Sequence, residues 1–525
     1  MADLPSTIPE VVERAVTLYG DLEALTDLDV HLSFAELGHE VDRVARALIA
    51  TGVEPGEVVA IWAPNIWEWA VTALAVHTAG ATLLPINTRW KGTEAAYVLN
   101  KTKARLLFTV TDFLDTDYTA LLAGRPDLDA LEEQIILRGT VPAGTTGFDA
   151  FVARAGSADA EAARKRAAEI GPSDIANILF TSGTTGTPKG AMLRHGATVR
   201  AYDTWASVVG LEAGDRYLII NPFFHSFGLN AGIIASLVKG ATMVPQAIFD
   251  VPMAMRRVAE ERITMFPGAP AIFQTILNHP EREQHDLSTL RLSVTGAAPI
   301  STEMILRMYD ELGFETIVTG YGLTEATGIV TMCRHDDPPE RIANTSGRAI
   351  PDVEVKLVDP ASGEEVPPGT EGEILVRGYN VMPGYLDDAE QTAEAIDGDG
   401  WLHTGDIGVM DEDGYVDITD RVKDMFIMGG FNVYPAEIER LLASNPTVAN
   451  AAVIGVPDDR MGEVGKALVV PRTDAAVEPE ALIAWCRENM ANYKVPRYVE
   501  VVSELPLNAT GKVDKVLLRG EQRIS

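Results

Sequence analysis

A loop rich in glycine and hydroxyl residues is the part of the sequence that most directly suggests chemistry. It reads Thr181-Ser182-Gly183-Thr184-Thr185-Gly186-Thr187-Pro188-Lys189-Gly190 and follows an apolar run, Ile175 to Phe180. Glycines let the backbone turn tightly and present N–H groups, the hydroxyls add donors, and Lys189 adds positive charge. The alternative is a plain surface loop, but ten residues this biased favour a polyphosphate site.

The loop is not the P-loop of NTPases, because Thr187-Pro188-Lys189 stands where that pattern needs Gly-Lys-Ser/Thr. It resembles instead the signature of the adenylate-forming superfamily, which comprises acyl-CoA synthetases, peptide synthetase adenylation domains and beetle luciferases. Further motifs of the superfamily follow in order along essentially the whole chain. The resemblance implies ATP, Mg²⁺ and, in the acyl-CoA synthetase branch, coenzyme A as a co-substrate.

A second motif, Gly320-Tyr321-Gly322-Leu323-Thr324-Glu325, looks like the superfamily's adenine and magnesium segment. Tyr321 offers a ring face for adenine, Thr324 a hydroxyl for phosphate, and Glu325 the hard oxygen that Mg²⁺ prefers. Gly296-Ala297-Ala298-Pro299 is similar to the small-residue segment that packs beside the nucleotide. We therefore expect Gly296, Ala297, Ala298, Tyr321 and Gly322 to bind the nucleotide and Glu325 to bind the metal.

Three later positions match nucleotide or phosphate contacts of the superfamily. Asp406, in Thr404-Gly405-Asp406, is expected to accept both ribose hydroxyls, as acidic residues do in dinucleotide folds. Arg421 matches a nucleotide-contacting arginine. Lys512, in the segment Leu507 to Lys515, corresponds to the lysine that bridges the carboxylate and the α-phosphate. Without the resemblance, the sequence favours a site residue and a solvated lysine on a tail equally for Lys512.

The resemblance also implies that a small C-terminal domain takes two orientations during the reaction. The hinge is expected at Lys423, so that one face brings Lys512 to the site for adenylation. Another face, carrying Gly429-Gly430, then lines the channel for the thiol of coenzyme A, where two glycines allow close backbone approach. For the nucleotide end of coenzyme A, Lys494 and Arg497 are candidates no better than chance surface cations.

The acid is indicated by the segment Asn221 to Leu229, which matches the superfamily's border between acyl pocket and thiol channel. His225 lies in it and is expected to be a site residue. No acidic residue stands between Asn221 and Val238, whereas amino-acid-activating relatives carry an aspartate here. An apolar acid of medium or larger size is therefore expected. The segment Phe223 to Val244 most resembles actinobacterial enzymes that include those acting on propionates from steroid ring degradation. Medium- or long-chain fatty acids, aryl acids and transfer to a carrier protein stay open.

The secondary-structure pattern around these residues predicts an α/β fold. Apolar strands alternate with amphipathic helices through the first three hundred residues, which predicts two successive helix-covered, mostly parallel sheets. Predicted strands of the second series include Ile263 to Phe266. Short strands separated by turns after Gly347 predict a small β-rich unit. We predict an N-terminal domain over 1–420, with subdomains of about 1–170, 171–346 and 347–420, and an α+β domain over 421–525.

Composition limits the alternatives. The 525 residues carry 43 Lys plus Arg against 76 Asp plus Glu, a net charge of −33, which disfavours binding to nucleic acid. Two cysteines far apart exclude a disulfide framework and favour a reducing compartment, so a cytoplasmic location is expected. No apolar stretch reaches the roughly 20 residues that span a bilayer. A homodimer is left open by the sequence.

Overall fold

The structure is a computed structural model that describes residues 4–125, 128–181, 188–296, 300–360, 362–421, 426–433, 435–472 and 475–506, with 513, 515, 518 and 519. Its contacts divide the chain into two compact units. The first comprises Met1–Thr88, Leu99–Leu179 and Gly190–Thr419. The second comprises Arg89–Val98, Phe180–Lys189 and Asp420–Ser525. The domain boundary predicted at 420/421 stays a prediction.

Helices occur throughout the described residues. In chain order they are α1 (Ile8–Tyr19), α2 (Phe34–Ala50), α3 (Trp67–Thr78), α4 (Gly92–Thr102), α5 (Tyr118–Leu122), α6 (Phe148–Val152), α7 (Ala160–Ala168), α8 (His195–Val209), α9 (Ala235–Lys239), α10 (Val251–Glu260), α11 (Pro270–Leu277), α12 (Thr302–Leu312), α13 (Pro339–Asn344), α14 (Ala389–Ala395), α15 (Pro435–Ser444) and α16 (Pro479–Asn489). None of these helices is both long and apolar enough to cross a membrane.

The first strands build a large sheet and part of a second one. They are β1 (Glu23–Asp27), β2 (Val30–Ser33), β3 (Val58–Trp62), β4 (Thr82–Pro85), β5 (Leu106–Val110), β6 (Glu133–Arg138), β7 (Thr146–Gly147), β8 (Ile175–Thr181) and β9 (Lys189–Arg194). The large sheet has the order β7-β6-β5-β3-β4-β8-β9. Its pairs from β7 to β8 are parallel. Every residue of β3, β4 and β5 is buried, as expected for a parallel sheet covered on both faces.

The second series of strands surrounds the predicted nucleotide motifs. It consists of β10 (Arg216–Ile219), β11 (Thr242–Pro245), β12 (Leu292–Thr295), β13 (Thr316–Tyr321), β14 (Thr331–Met332) and β15 (Arg348–Ala349). These strands form the orders β10-β11-β1-β2 and β12-β13-β14-β15. The pairs β10/β11, β11/β1 and β12/β13 are parallel, while β1/β2, β13/β14 and β14/β15 are antiparallel.

The strand predicted over Ile263 to Phe266 is wrong. Only Met265 pairs, through single bridges to Tyr217 of β10 and Leu292 of β12. Pro267 has no N–H to donate and interrupts the regular ladder, although Gly268 beyond it still donates to the Val294 carbonyl at 3.0 Å. Met265 nevertheless connects the two smaller sheets of this region.

The remaining strands form the β-rich part and the second unit. They are β16 (Val353–Val358), β17 (Glu371–Gly378), β18 (Leu402–Met410), β19 (Val416–Arg421), β20 (Phe426–Met428), β21 (Phe431–Val433), β22 (Val448–Asp458), β23 (Gly462–Pro471) and β24 (Tyr498–Val501). Strands β16 to β19 lie side by side in chain order, with β16/β17 and β17/β18 antiparallel. The second unit has the order β21-β20-β23-β22, with β24 beside β23. These sheets confirm the predicted fold class.

Candidate functional site

A short hydrogen bond joins two of the residues expected to bind the nucleotide. Tyr321 ends β13, and its hydroxyl donates to Oδ2 of Asp406 in β18 at 2.6 Å. Both side chains are buried. The bond fixes the direction of the Tyr321 ring and holds one oxygen of the carboxylate. Strand β18 itself escaped prediction because Gly405 and Gly408 interrupt its apolar pattern.

The segment after Tyr321 is held tightly against its own continuation. A Cβ at Gly322 would lie 2.2 Å from the carbonyl oxygen of Gly328, so only glycine fits there. Thr324 and Glu325 stand in the single 3₁₀ turn Thr324–Ala326 that this close approach creates. The motif thus places a hydroxyl and a carboxylate on one rigid turn.

Glu325 is oriented by a tyrosine that the sequence did not single out. The hydroxyl of Tyr385 donates to Oε1 of Glu325 at 2.8 Å, and the Met382 N–H donates to the Glu325 carbonyl at 2.8 Å. Tyr385 lies 60 residues along the chain from Glu325, so no local pattern could have revealed it. The bond holds one carboxylate oxygen and fixes the plane of the group.

The same tyrosine segment pairs with the strand that leaves the glycine-rich loop. The Leu386 N–H donates to the Gly190 carbonyl at 2.8 Å, and the Met192 N–H donates to the Gly384 carbonyl at 3.1 Å. Lys189 begins β9 and Thr181 ends β8, while Ser182, Gly183, Thr184, Thr185 and Gly186 lie outside the described residues. Glu325 and the start of β9 are therefore positioned by one segment.

His225 is exposed, and Ser226, the residue after it, belongs to a buried polar cluster. Nδ1 of its ring accepts from the N–H of Phe227 at 3.2 Å, which leaves the proton of the neutral ring on Nε2. The ring is accessible to solvent, yet the protein around it displaces enough water to lower the pKa of His225. A neutral imidazole with an N–H donor is the form this environment favours.

The buried polar cluster beside His225 joins three elements. The side-chain amide of Asn230 donates to Oγ of Ser226 at 3.1 Å, and the hydroxyls of Tyr202 and Ser226 are 3.3 Å apart. A Cβ at Gly328 would lie 2.4 Å from both hydroxyl oxygens. The residues Phe227–Ile234 form a π-helix, a local irregularity that often occurs at functional sites. The packing therefore brings the His225 segment beside the continuation of the Tyr321 motif.

Gly296 stands where a neighbouring strand meets the same motif. It follows β12, and a Cβ there would lie 3.6 Å from the carbonyl oxygen of Gly320. The hydroxyl of Thr295, immediately before it, is buried without a hydrogen-bond partner among the described residues. Ala297 and Ala298 lie outside the described residues. A buried hydroxyl without a partner at a strand end is consistent with a ligand that binds there.

The sites expected in the second unit are only partly described. Gly429 and Gly430 form the two-residue turn between β20 and β21, with φ of 56° and 83°, as this type of hairpin requires. Arg421 is the last residue of β19. Lys423 and Lys512 lie outside the described residues.

The described residues include no group of three or more His, Cys, Asp or Glu arranged around one metal position. Mg²⁺ is nevertheless often held by one or two carboxylates together with substrate phosphates and water. The oxygen donors of Thr324 and Glu325, with Glu325 oriented by Tyr385, fit that kind of site.

Comparison with known families gives two matches. The model of the AMP-binding enzyme family matches residues 12–386, and that of the AMP-binding enzyme C-terminal domain matches residues 437–512. Together they span most of the sequence, from α1 to the last motif.

Similar proteins are known over the full length. A protein of Rhodococcus jostii (strain RHA1), named 3-[(3aS,4S,7aS)-7a-methyl-1,5-dioxo-octahydro-1H-inden-4-yl]propanoyl:CoA ligase, is 48% identical over 100% of both chains. A protein of the same name from Mycobacterium tuberculosis (strain ATCC 25618 / H37Rv) is 48% identical over 98% of both. Among solved structures, the amide bond synthetase McbA from Marinactinospora thermotolerans matches with a TM-score of 0.83 and 30% identity, over 97% of this chain and 99% of McbA.

Proposed function

The chain belongs to the AMP-binding enzyme family and is an acyl-CoA ligase, and we propose that its acid is a bulky alicyclic propanoate of the kind produced by steroid ring degradation. The observation that carries the proposal is the 48% identity, over the entire chain, to the ligase of a dioxo-octahydroindenyl propanoate. The absence of any acidic residue from Asn221 to Val238 supports an uncharged acyl group.

The surroundings of the His225 segment support an apolar acid of some size. Phe227 packs edge-on against Trp205 with ring centroids 5.8 Å apart, and Leu229 and Ile233 are fully buried. No charged side chain is contributed by this stretch, so the acyl group would meet aromatic and aliphatic surface. The two ketones of such a substrate carry no formal charge and tolerate that environment better than a second carboxylate would.

The reaction activates the acid by adenylation. Its carboxylate attacks the α-phosphate of ATP, pyrophosphate leaves, and the thiol of coenzyme A then attacks the acyl carbon of the acyl-AMP and releases AMP. In this proposal Tyr321 and Asp406 hold adenosine, and Lys189 and Lys512 offset the negative charge that gathers when two anions meet. Removing one such aimed donor costs about 2.7–4 kcal/mol of transition-state stabilisation.

Mg²⁺ would be held by Glu325 with oxygens of the nucleotide, where it supplies neutralisation of phosphate charge. The contribution of this chain is to fix the Glu325 carboxylate through Tyr385 and to present the Thr324 hydroxyl on the same turn. His225, neutral and carrying its proton on Nε2, can donate to an oxygen of the acid or the acyl-adenylate.

The two half-reactions are proposed to use two orientations of the C-terminal domain, with the hinge at Lys423. Lys512 acts in adenylation, and the turn Gly429-Gly430 lines the thiol channel in the second step. A cytoplasmic location is proposed because both cysteines, Cys333 and Cys486, are buried and unpaired.

A coenzyme-A-dependent substrate screen tests the function. The purified chain is incubated with ATP, Mg²⁺, coenzyme A and single acids, and acyl-CoA and AMP are measured by mass spectrometry. We expect alicyclic propanoates with fused rings to give the highest kcat/KM. The substrate proposal is wrong if straight-chain fatty acids or aryl acids exceed them clearly. Rates that do not depend on coenzyme A would indicate transfer to another acceptor, such as a carrier protein.

A further inference from the structure

Lys494 is the most deeply buried lysine for which the structure gives partners, although the sequence predicted a surface cation. Its side chain is 3% exposed, and Nζ lies 2.7 Å from Oε1 of Glu94 and 2.6 Å from Oε1 of Glu437. Arg497, three residues later, is exposed as expected. Lys494 is therefore not a surface cation, and its two carboxylate partners lie 400 and 57 residues away along the chain, where local patterns do not reveal them.

The cluster joins residues of the two family-model spans inside the second unit. Glu94 stands in the first turn of α4, within the segment Arg89–Val98, whereas Glu437 stands in the first turn of α15. Burial raises the pKa of Glu94 against the opposing effect of Lys494. Burial by itself would lower the pKa of Lys494, but the nearby negative charges outweigh it and raise the pKa. Removing one partner of such a buried ion pair leaves the other charge without compensation and poorly solvated.

The segment Arg89–Val98 also contacts the hairpin that contains Gly429 and Gly430. The guanidinium of Arg89 lies 4.0 Å from the ring centroid of Phe431, the residue that follows the turn. The ring of Tyr493, next to Lys494, stacks on Phe431 with centroids 4.8 Å apart and planes at 28°. The hairpin is thus held through Phe431, while α15, which begins just after it, is held through Glu437.

We propose that Lys494 is a positioning residue for thioester formation: its bond to Glu94 holds the Gly429-Gly430 turn in the position that the thiol transfer needs. The inference rests on the proposed function, in which that turn lines the thiol channel. Lys494 touches no reacting atom in this proposal. Breaking the ion pair between Lys494 and Glu94 is expected to slow acyl transfer and to leave adenylation unchanged, because the proposed function assigns the Gly429-Gly430 turn to transfer and Lys512 to adenylation.

The alternative is that the cluster only stabilises the fold of the second unit. Lys494→Met does not separate the two explanations, because it leaves two buried carboxylates without a cation and endangers folding. Glu94→Gln is more informative, since the amide keeps the shape and one acceptor while it removes the charge. Glu500→Gln is a control for the loss of a paired carboxylate in the same unit, because Glu500 is exposed and pairs with Lys466 at 2.7 Å.

Two half-reactions are measured for the unmodified chain, Glu94→Gln and Glu500→Gln. Adenylation is followed as acid-dependent exchange of pyrophosphate into ATP, and transfer as single-turnover reaction of preformed acyl-adenylate with coenzyme A. We expect Glu94→Gln to slow transfer about tenfold, which corresponds to about 1.4 kcal/mol, with exchange changed less than about twofold. Glu500→Gln should leave both rates unchanged.

Equal losses in both half-reactions of Glu94→Gln, or an unchanged transfer rate, overturn the positioning role while the proposed function stands. The proposed function itself fails if the unmodified chain exchanges pyrophosphate with no acid, or exchanges it but forms no acyl-CoA. That result overturns the positioning role as well. Circular dichroism of each variant identifies any loss that comes from unfolding, and an unfolded Glu94→Gln chain also overturns the positioning role in favour of a structural one.

Discussion

The hydroxyl of Tyr321 donates a 2.6 Å hydrogen bond to the carboxylate of Asp406, 85 residues further along the chain. The bond joins the end of β13 to β18, a strand of the separate β-rich sheet. Two motifs that the sequence presents as independent therefore act as one structural group. The position of the tyrosine ring depends on the aspartate, and the position of the aspartate depends on the hydroxyl.

Tyr321→Phe tests this relationship, because it removes the donor and keeps the ring. A hydrogen bond to a charged group contributes about 1.5–3 kcal/mol, so kcat/KM for ATP should fall about 10- to 100-fold. The measurement is steady-state kinetics with varied ATP at saturating acid.

The control for this change is Tyr415→Phe. Tyr415 also donates to a carboxylate at 2.6 Å, that of Asp337, but outside the expected nucleotide site. We expect it to leave kcat/KM for ATP within about twofold, well under the tenfold that 1.4 kcal/mol represents. Equal effects of the two substitutions would contradict a nucleotide-specific role for Tyr321.

Tyr385→Phe should change the dependence on magnesium. The variant loses the 2.8 Å donor to Oε1 of Glu325, so the orientation in which the carboxylate would bind the ion is held less firmly. We expect the Mg²⁺ concentration for half-maximal rate to rise about 10-fold, in the range typical of lost orienting partners. Titration of Mg²⁺ at fixed ATP provides the measurement.

Tyr118→Phe serves as the comparison for Tyr385→Phe. Tyr118 donates to the carbonyl oxygen of Thr88 at 2.9 Å in the region of the large sheet, and it carries no expected metal role. Its magnesium titration should superimpose on that of the unmodified enzyme. A Tyr385→Phe curve that does the same would remove the orienting role from Tyr385.

Lys512→Ala and Lys423→Pro should separate the two half-reactions. The first removes the cation proposed to bridge the carboxylate and the α-phosphate, so adenylation should slow by about 10²–10³-fold. Transfer from a synthetic acyl-adenylate should continue largely intact. The second stiffens the proposed hinge and should slow transfer while adenylation persists, because proline fixes φ. If each variant lost both half-reactions equally, the two-orientation proposal would be wrong.

Two buried histidines predict a loss of stability in mild acid. His77 and His195 lie with ring centroids 5.5 Å apart, and His77 shares a 3.0 Å hydrogen bond with Asn177. Burial lowers the pKa of His77 to about 4, and burial together with His77 lowers that of His195 to about 3. Both rings stay neutral in the folded chain at pH values where the unfolded chain, with an ordinary pKa of about 6.5, binds protons.

The stability contributed by these neutral rings is complete above about pH 6.5 and is lost as the pH falls towards the folded pKa values. Two protons taken up on unfolding give a slope of about 2.7 kcal/mol per pH unit between about pH 5.5 and 4.5. Denaturant unfolding at several pH values measures it. His77→Gln should reduce the slope by about 1.4 kcal/mol per pH unit.

Much of the fold could be predicted from the sequence, because apolar runs and helical periodicity are local properties. Apolar runs at Val58 to Trp62, Ala81 to Ile86 and Arg105 to Val110 predict strands, and β3, β4 and β5 lie there. Helical patterns from Thr7 towards Gly20, at Asn65 to Gly80 and at Glu478 to Asn489 agree with α1, α3 and α16. The strand at Ile263 to Phe266 failed because Pro267, directly after it, interrupts the regular pairing and leaves only the bridges of Met265. Strand β18 was missed because its glycines hide the pattern, although a neighbouring strand completes its hydrogen bonds.

Taken alone, the sequence determined the order of the motifs, the family and the chemistry that Tyr321, Glu325 and Asp406 offer. Only the tertiary structure decided which of these groups meet, and it added Tyr385 and Lys494, which no motif contains. The physical reason is that a hydrogen bond or ion pair depends on distance in space. Glu94 and Lys494 are far apart along the chain and 2.7 Å apart in the fold. Burial also depends on residues that are distant in sequence, so the sequence alone did not show that Lys494 is buried.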